Sequence, residues 1–316
     1  MTVSLDYRPD LVEPAARGLI GAIDLGDGGS EKQRQVLRAI VERVWERPDL
    51  DIESLVPMSP AEIDAVFDSP IARGRFQRFA ILLEFCRYPF SVEQADLMDT
   101  YHAALGGADD DEGLRLARVF IEEGVAKAVE DLQRVSKMSI VDLAEASIAD
   151  RFSEVDMQAP ELAAELRRFV ELPEGTLGRE YYEFYMRHSF ELPGEGNGSP
   201  AFFVRHDMGH IIAGYGPTAP EELALAAFHC GMKDNDSNWN FLVVALAALE
   251  LGLYSSENFE GKEGILDREG ALDLMVDGFI RGSQCLDDFS EMDHLGQADV
   301  PVAEIRERYG VIPRRV

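Results

Sequence analysis

The sequence predicts an all-α fold, a multi-helix orthogonal bundle in two parts, and three observations carry that reading. Apolar residues recur at three- and four-residue spacing, helix-start signals recur ahead of those runs, and no stretch alternates apolar with polar as a half-buried strand must. No repeat of fixed period stands out. With 316 residues, 46% of them hydrophobic, the chain can bury a substantial core.

The opening stretch Met1–Pro14 has an early Asp6 and no apolar run followed by a cleavage site, so no secretory signal is expected. Gly26-Asp27-Gly28-Gly29 lacks the preceding strand and the lysine of a phosphate-binding loop and reads as a turn. Ser30-x-x-Gln33 has capping-box form, in which side chains satisfy the orphan amides of a first helical turn, and Val36, Leu37, Ile40, Val41 and Val44 then share one face. Ser59-Pro60-x-Glu62 and Ser91-x-x-Gln94 repeat the start signal, while Phe76, Phe79, Ala80 and Leu83 repeat the face. Gly106–Gly113 reads as a loop, and a long helix is expected from about Leu114 to Val135, with Leu114, Ala117, Ile121 and Val125 inward.

A boundary near Ser136–Ser139 then divides a helical N-terminal domain, residues 1–136, from a second helical domain, residues 137–316. No motif in the first domain attaches to a chemistry. In the second, Tyr181, Tyr182, Phe184 and Tyr185 form a stripe that reads as a core face before it reads as a lipid channel. Leu192–Pro200 clusters Pro, Gly and Asn and reads as a loop; Thr218-x-x-Glu221 is a fourth capping box. Asp234-Asn235-Asp236-Ser237-Asn238 is oxygen-rich but lacks the glycine and distant glutamate of a calcium loop, and reads as a helix-capping turn. The greasy run from Phe241 past Glu250 to Tyr254 falls short of the ~20 residues of a membrane-spanning helix and reads as a buried core helix.

The charge balance narrows the partners. With 59 acidic against 30 basic side chains, net −29, the chain repels nucleic-acid phosphates and anionic headgroups, so no nucleic-acid partner is expected. Cys86, Cys230 and Cys285 are far apart and form no Cys-x-x-Cys pair, which disfavours a disulfide framework or a thiolate metal site. A reducing cytoplasm is the expected location, with at most transient peripheral contact with a membrane.

Four candidate ligands lie within seventeen residues: His206, Asp207, His210 and, after eleven more, Glu222. On a helix His206 and His210 project from one face and can converge on one ion. Asp207 lies about 100° round the helix, able to reach the ion's edge or to orient an imidazole. Gly214, Gly216 and Pro217 break this helix, and Thr218 starts the next, so a tight hairpin would return Glu222 to the histidine face, although Glu221 is equally available there. Two imidazoles and two carboxylates suit zinc, iron(II) or manganese, and the ligands alone do not choose among these; zinc is taken as the first candidate. A histidine pair four apart also arises by chance on helices.

His-Asp-x-x-His, eleven residues and Glu is also the signature of the coenzyme Q biosynthesis protein 4 family, which this chain resembles at His206, Asp207, His210 and Glu222. Leu172-Pro173-Glu174-Gly175-Thr176-Leu177-Gly178-Arg179-Glu180-Tyr181 looks like that family's segment upstream of the motif, and Ala303–Val311 looks like its closing helix. The resemblance spans about residues 140–315. It implies a metal-dependent protein acting on a prenylated quinone precursor or similar isoprenoid ring lipid, with ring C1 oxidative decarboxylation as the reaction and the four residues as both metal ligands and catalytic groups. The alternative it implies is a non-catalytic, lipid-binding scaffold for other quinone-biosynthesis proteins, with a structural metal and with Trp239–Tyr254 and Ala271–Ile280 holding the isoprenoid tail; a homodimer is compatible with either.

Two departures qualify the likeness. The family usually has a longer stretch, with another helix, before its His-Asp motif, whereas Gly194–Pro200 leads here directly to Phe202 and Phe203, which implies a reshaped substrate entrance. Seven residues after Glu222, where the family often has an acidic residue, stands His229, open to reading as an extra ligand, a proton donor or a hydrogen-bonded core histidine.

Overall fold

The computed structural model describes residues 5, 7–107, 112–143, 145–153, 155–196, 199–252 and 264–314; Asp6, Asn197, Tyr254 and the middle of the Gly106–Gly113 segment lie outside the described residues. Helices occupy most of them, and no strand occurs among them. The N-terminal half comprises α1 (Pro9–Ile23), α2 (Glu31–Ala39), α3 (Pro60–Val66), α4 (Pro70–Glu84), α5 (Val92–Ala104), α6 (Glu112–Glu123) and α7 (Val125–Asp142). The remainder comprises α8 (Ala146–Ala149), α9 (Pro160–Arg167), α10 (Leu177–His188), α11 (Phe202–Ala213), α12 (Ala219–Met232), α13 (Asp236–Leu249), α14 (Ala271–Ser283) and α15 (Val302–Tyr309).

The start signals act as their chemistry requires in most cases. Ser30 and Ser59 form complete capping boxes with Gln33 and Glu62, and Ser91 accepts from the Gln94 amide. Thr218 is the exception: its hydroxyl donates to the Glu221 carboxylate at 2.6 Å, and no side-chain bond caps the amides of α12. The single helix expected over Leu114–Val135 is two, because Gly124 sits at φ +86°, a left-handed conformation that ends α6 and starts α7 on a new face. Val125 is exposed as a result, while Ala128, Leu132 and Val135 turn inward. Helix α7 runs without a break through residues 136–139.

Two apolar clusters share α12. Leu223, Ala226, Ala227 and Cys230 face the first, built from α1–α7, α13 and α14. Ala224, Leu225, Phe228 and Met232 face the second, built from α8–α11 and the C-terminal segments. A helix apolar on every side is one that protein surrounds. Tyr181 and Tyr185 are fully buried in the second cluster, a core stripe as expected.

Helix α14 meets α12 with almost no side chain between them. A Cβ on Gly278 would lie 2.2 Å from the Ala224 carbonyl oxygen, and one on Gly282 would lie 2.0 Å from that of Phe228. The other side of α13 and α14 is tied to the N-terminal half by ring contacts, Phe79 edge-on to Trp239 at 5.1 Å and Trp239 tilted against Phe279 at 5.7 Å. Asp234, which the sequence places in a capping turn, is buried and held by Arg75, Arg78 and the Trp239 indole, while Asn235 caps α13. The three cysteines are buried, and none forms a disulfide among the described residues. Among the described residues no helix is long and apolar enough to cross a membrane.

Two glycines of opposite kind test this packing. Gly278→Leu must force α12 and α14 apart and should cost ~3 kcal/mol or more in denaturant unfolding. Gly74 lies in α4, and a Cβ there would have nothing within 4 Å, so Gly74→Ala should stabilise by up to ~1 kcal/mol. A near-neutral Gly278→Leu would mean the two helices are not in backbone contact.

Candidate metal centre

Helix α11 presents His206 and His210 on one face, as their spacing predicts, and ends at Gly214, whose φ of +81° lets the chain turn back. Helix α12 then starts with Ala219 and brings Glu222, on its first turn, against the two imidazoles. His206 Nε2 lies 3.2 Å from Glu222 Oε2, His210 Nε2 lies 3.3 Å from the same oxygen, and the two Nε2 atoms are 3.3 Å apart. Among the described residues this is the group of His, Cys, Asp and Glu side chains whose ligand atoms converge closely enough to hold an ion.

Donor atoms about 2.0–2.1 Å from a tetrahedrally held ion stand about 3.3–3.4 Å from one another. The three observed separations match one face of such a tetrahedron. Two imidazoles that can be neutral and one carboxylate also form a donor set suited to zinc, iron(II) or manganese. The residues present therefore fit a divalent cation.

Asp207 does not join the triangle. Its buried carboxylate accepts a hydrogen bond from the Tyr185 hydroxyl, reaching from α10. Burial holds the Asp207 carboxyl above its ordinary range, against the opposing pull of His206 and His210, and burial likewise drives the Tyr185 phenol far upward. Of the two placements its helical position left open, at the ion's edge or behind an imidazole, Asp207 takes neither through a direct bond. Glu221, the rival to Glu222, is engaged by Arg314 at 2.9 Å and by Thr218.

Aromatic rings crowd the two imidazoles of the triangle. Phe184 stacks on His210 with centroids 5.8 Å apart, while Phe202, Phe203 and Phe241 surround His206 at 5.5–5.9 Å. Glu222 is the exposed corner, with 25% of its side chain open to solvent. Burial raises the Glu222 carboxyl, but the neighbouring His210 and His206 outweigh it and hold the group far below its ordinary value of 4.5. Burial also works against a charged His210, yet Glu222 outweighs it and raises the imidazole above 6.5.

Residues distant in sequence fix α11. Arg306 of α15 donates to the Ile212 and Ile211 carbonyls at 2.9 and 2.7 Å, and Arg281 of α14 donates to Ala213 at 2.6 Å, so three terminal carbonyls of α11 end on guanidinium groups. Arg205, one residue before His206, donates to the Ser290 carbonyl at 2.8 Å. Sequence reasoning singled out none of these arginines, because the partner of each is a backbone oxygen many residues away. The two segments that carry the family resemblance are themselves joined: Leu177 and Gly178 donate to Val300 and Ala298 at 2.9 and 2.8 Å, and Val302 donates back to Gly175 at 2.9 Å.

His229 lies outside the triangle, with Nδ1 buried and without a hydrogen-bond partner among the described residues. Burial, aided by the charge of Arg205, keeps its imidazole neutral. An enclosed cavity of about 10 Å³ separates it from His206.

No protein-family model matches the chain, and no curated protein matches it. Among solved structures it is similar to a protein from Nostoc punctiforme PCC 73102 provisionally described as a ubiquinone biosynthesis protein, at 20% identity and a TM-score of 0.35, over 77% of this chain and 98% of that one.

The two shifts predict opposite pH behaviour for the empty and loaded centres. The raised His210 contributes stability that is full below pH 6.5 and is lost as pH rises through its folded value; the depressed Glu222 contributes stability present above 4.5 and lost as pH falls through its own. A cation competes with the proton on His210, so its stabilising effect grows with pH. Thermal unfolding with chelator and with zinc should differ little at pH 5.5 and much more at pH 8, and a gap that is constant or shrinks with rising pH would exclude these donors.

Proposed function

We propose that the chain binds one divalent cation through His206, His210 and Glu222, with zinc the first candidate and iron(II) or manganese also suited. We further propose that with this centre it acts on a prenylated quinone precursor or similar isoprenoid ring lipid. The metal part rests on one observation, three nitrogen and oxygen donors spaced 3.2, 3.3 and 3.3 Å apart as a tetrahedral ion requires. The substrate class and its candidate reaction, oxidative decarboxylation at the first ring carbon, rest on the resemblance of the motif and its two flanking segments to the coenzyme Q biosynthesis protein 4 family.

A bound cation supplies a Lewis acid that polarises a phenolic oxygen or acidifies a water. The chain's own residues supply the rest. The imidazoles lie in an apolar surround of four phenylalanines, where charge is felt more strongly than in water. Glu222 forms the solvent-facing side, from which a large substrate would approach. Tyr185 anchors Asp207 near the centre by a hydrogen bond to its carboxylate.

A second reading, a non-catalytic scaffold with a structural metal, is favoured by a different observation. The cavity bordering His206 is about 10 Å³, far below the volume of an isoprenoid tail. Trp239, Leu242 and Leu246 of α13 and Met275, Val276 and Phe279 of α14 are buried in the protein core, so the faces expected to hold such a tail are already covered. A scaffold of this kind would bind lipid and partner proteins on its outer surface.

Metal analysis of the purified protein should give about one divalent ion per chain, falling sharply in His206→Ala and His210→Ala. Glu222→Gln keeps the shape but removes the charged donor. If the centre performs chemistry, quinone production or ring decarboxylation in a dependent strain should fall by orders of magnitude with little change in melting temperature. If the metal only pins the α11–α12 hairpin, stability should fall together with metal affinity. Full metal content in a folded His206→Ala/His210→Ala double variant would overturn the site.

A further inference from the structure

The cavity between His206 and His229 has a composition that its small size makes informative. Leu143, Phe202 and Phe241 supply an apolar wall, while Arg205, His206, His229 and Asn238 supply polar groups. A volume of about 10 Å³ admits the centre of roughly one water molecule, and a water is retained in such a space when two to four polar groups can reach it. The volume reaches the lower limit for a water, and the polar residues in the lining distinguish this cavity from one that stays dry, which is lined by apolar side chains alone.

His229 is placed for this by its neighbours on three helices. Gly209, between the two histidines of α11, lets the ring approach: a Cβ there would stand 3.4 Å from His229 Nε2. From α13, the Asn238 amide donates to the His229 and Lys233 carbonyls at 3.2 and 2.9 Å, which fixes the end of α12 that carries the ring. Phe289 packs on the ring with centroids 5.8 Å apart. The imidazole is thus held in one orientation, with Nδ1 buried and unpartnered by the protein. A buried ring nitrogen in that state is costly unless a water or another polar group reaches it.

We propose that this cavity is a binding site for a single ordered water molecule beside His206, and that His229 is the residue that positions it. The presence of that water does not rest on the metal-centre reading. A cavity of about 10 Å³ admits a water and is far too small for a lipid, which would have to approach from the side of Glu222. His229 as a positioning residue is also a departure that a family resemblance alone does not supply, since the family often has an acidic side chain at that place.

The test uses crystal structures of the zinc-loaded full-length wild type and of two variants, at a resolution that shows ordered water. In the wild type one water should lie within about 3.2 Å of a ring nitrogen of His229 and of a second polar group of the cavity. His229→Phe keeps the ring and removes both nitrogens, so the water should vanish. His229→Gln returns an amide and should return the water. Zinc should remain at about one per chain in all three. A dry cavity in the wild type, or an unmoved water in His229→Phe, overturns the proposal. Loss of zinc in a folded His229→Phe also overturns it, by making His229 a ligand. Water on His229 in a wild type that takes up no zinc would uphold the water site and sink the metal reading instead.

Discussion

The placement of α12 between two cores is the constraint on which the rest depends. A surface helix can rotate or slide by fractions of a turn at little cost, whereas a helix packed on every side has one position. Leu223, Ala226, Ala227 and Cys230 lock it to one cluster, and Ala224, Leu225, Phe228 and Met232 lock it to the other. Gly278 and Gly282 remove the last freedom by bringing the backbone of α14 against its carbonyls. Glu222 and His229 inherit that rigidity without contributing to it. A carboxylate on a helix so fixed can meet two imidazoles to within a few tenths of an ångström, which loop-borne ligands achieve less readily.

The helical class was legible because periodicity and capping chemistry are local, and both survive folding where no tertiary contact opposes them. Ser30 and Ser59 show this: each completes its box with a residue three positions on. The pair His206 and His210 was legible for the same reason, and the hairpin that returns Glu222 was legible because Gly214 and the residues after it cannot continue a helix. Local rules failed where a longer-range partner competed. Thr218 turned to Glu221, which Arg314 also holds, and Gly124 divided a helix that its flanking residues would have continued. Asp207 shows the limit most clearly, since its angular position on α11 was read correctly, but the Tyr185 hydroxyl that claims it comes from another helix. Arg281 and Arg306 left no signal at all, because a guanidinium that caps a distant carbonyl looks in sequence like any other basic side chain.

The charge arrangement around the triangle has a logic of its own. Glu222 alone would leave a bound dication with an unbalanced positive charge in a surround of phenyl rings, where such a charge is costly. Asp207, buried one residue from His206, accepts a hydrogen bond from the Tyr185 hydroxyl, while its burial works against a charge there. Without a cation the balance differs, since Glu222 raises the His210 imidazole above its ordinary value of 6.5 and so favours a proton there. Proton and cation are alternative solutions to one electrostatic problem.

The arginine caps on α11 also govern the order in which the protein can be made. Helix α11 is synthesised with its histidines in place, yet the guanidinium groups that satisfy its last carbonyls arrive with α14 and α15, some seventy and ninety-five residues later. Until Arg306 has emerged from the ribosome, the end of α11 must rely on water for its hydrogen bonds and will fray. The nascent chain therefore carries two histidines on a helix without a firm end, and the final short helix, remote from the centre in sequence and contributing no ligand to it, is the part whose arrival sets their geometry.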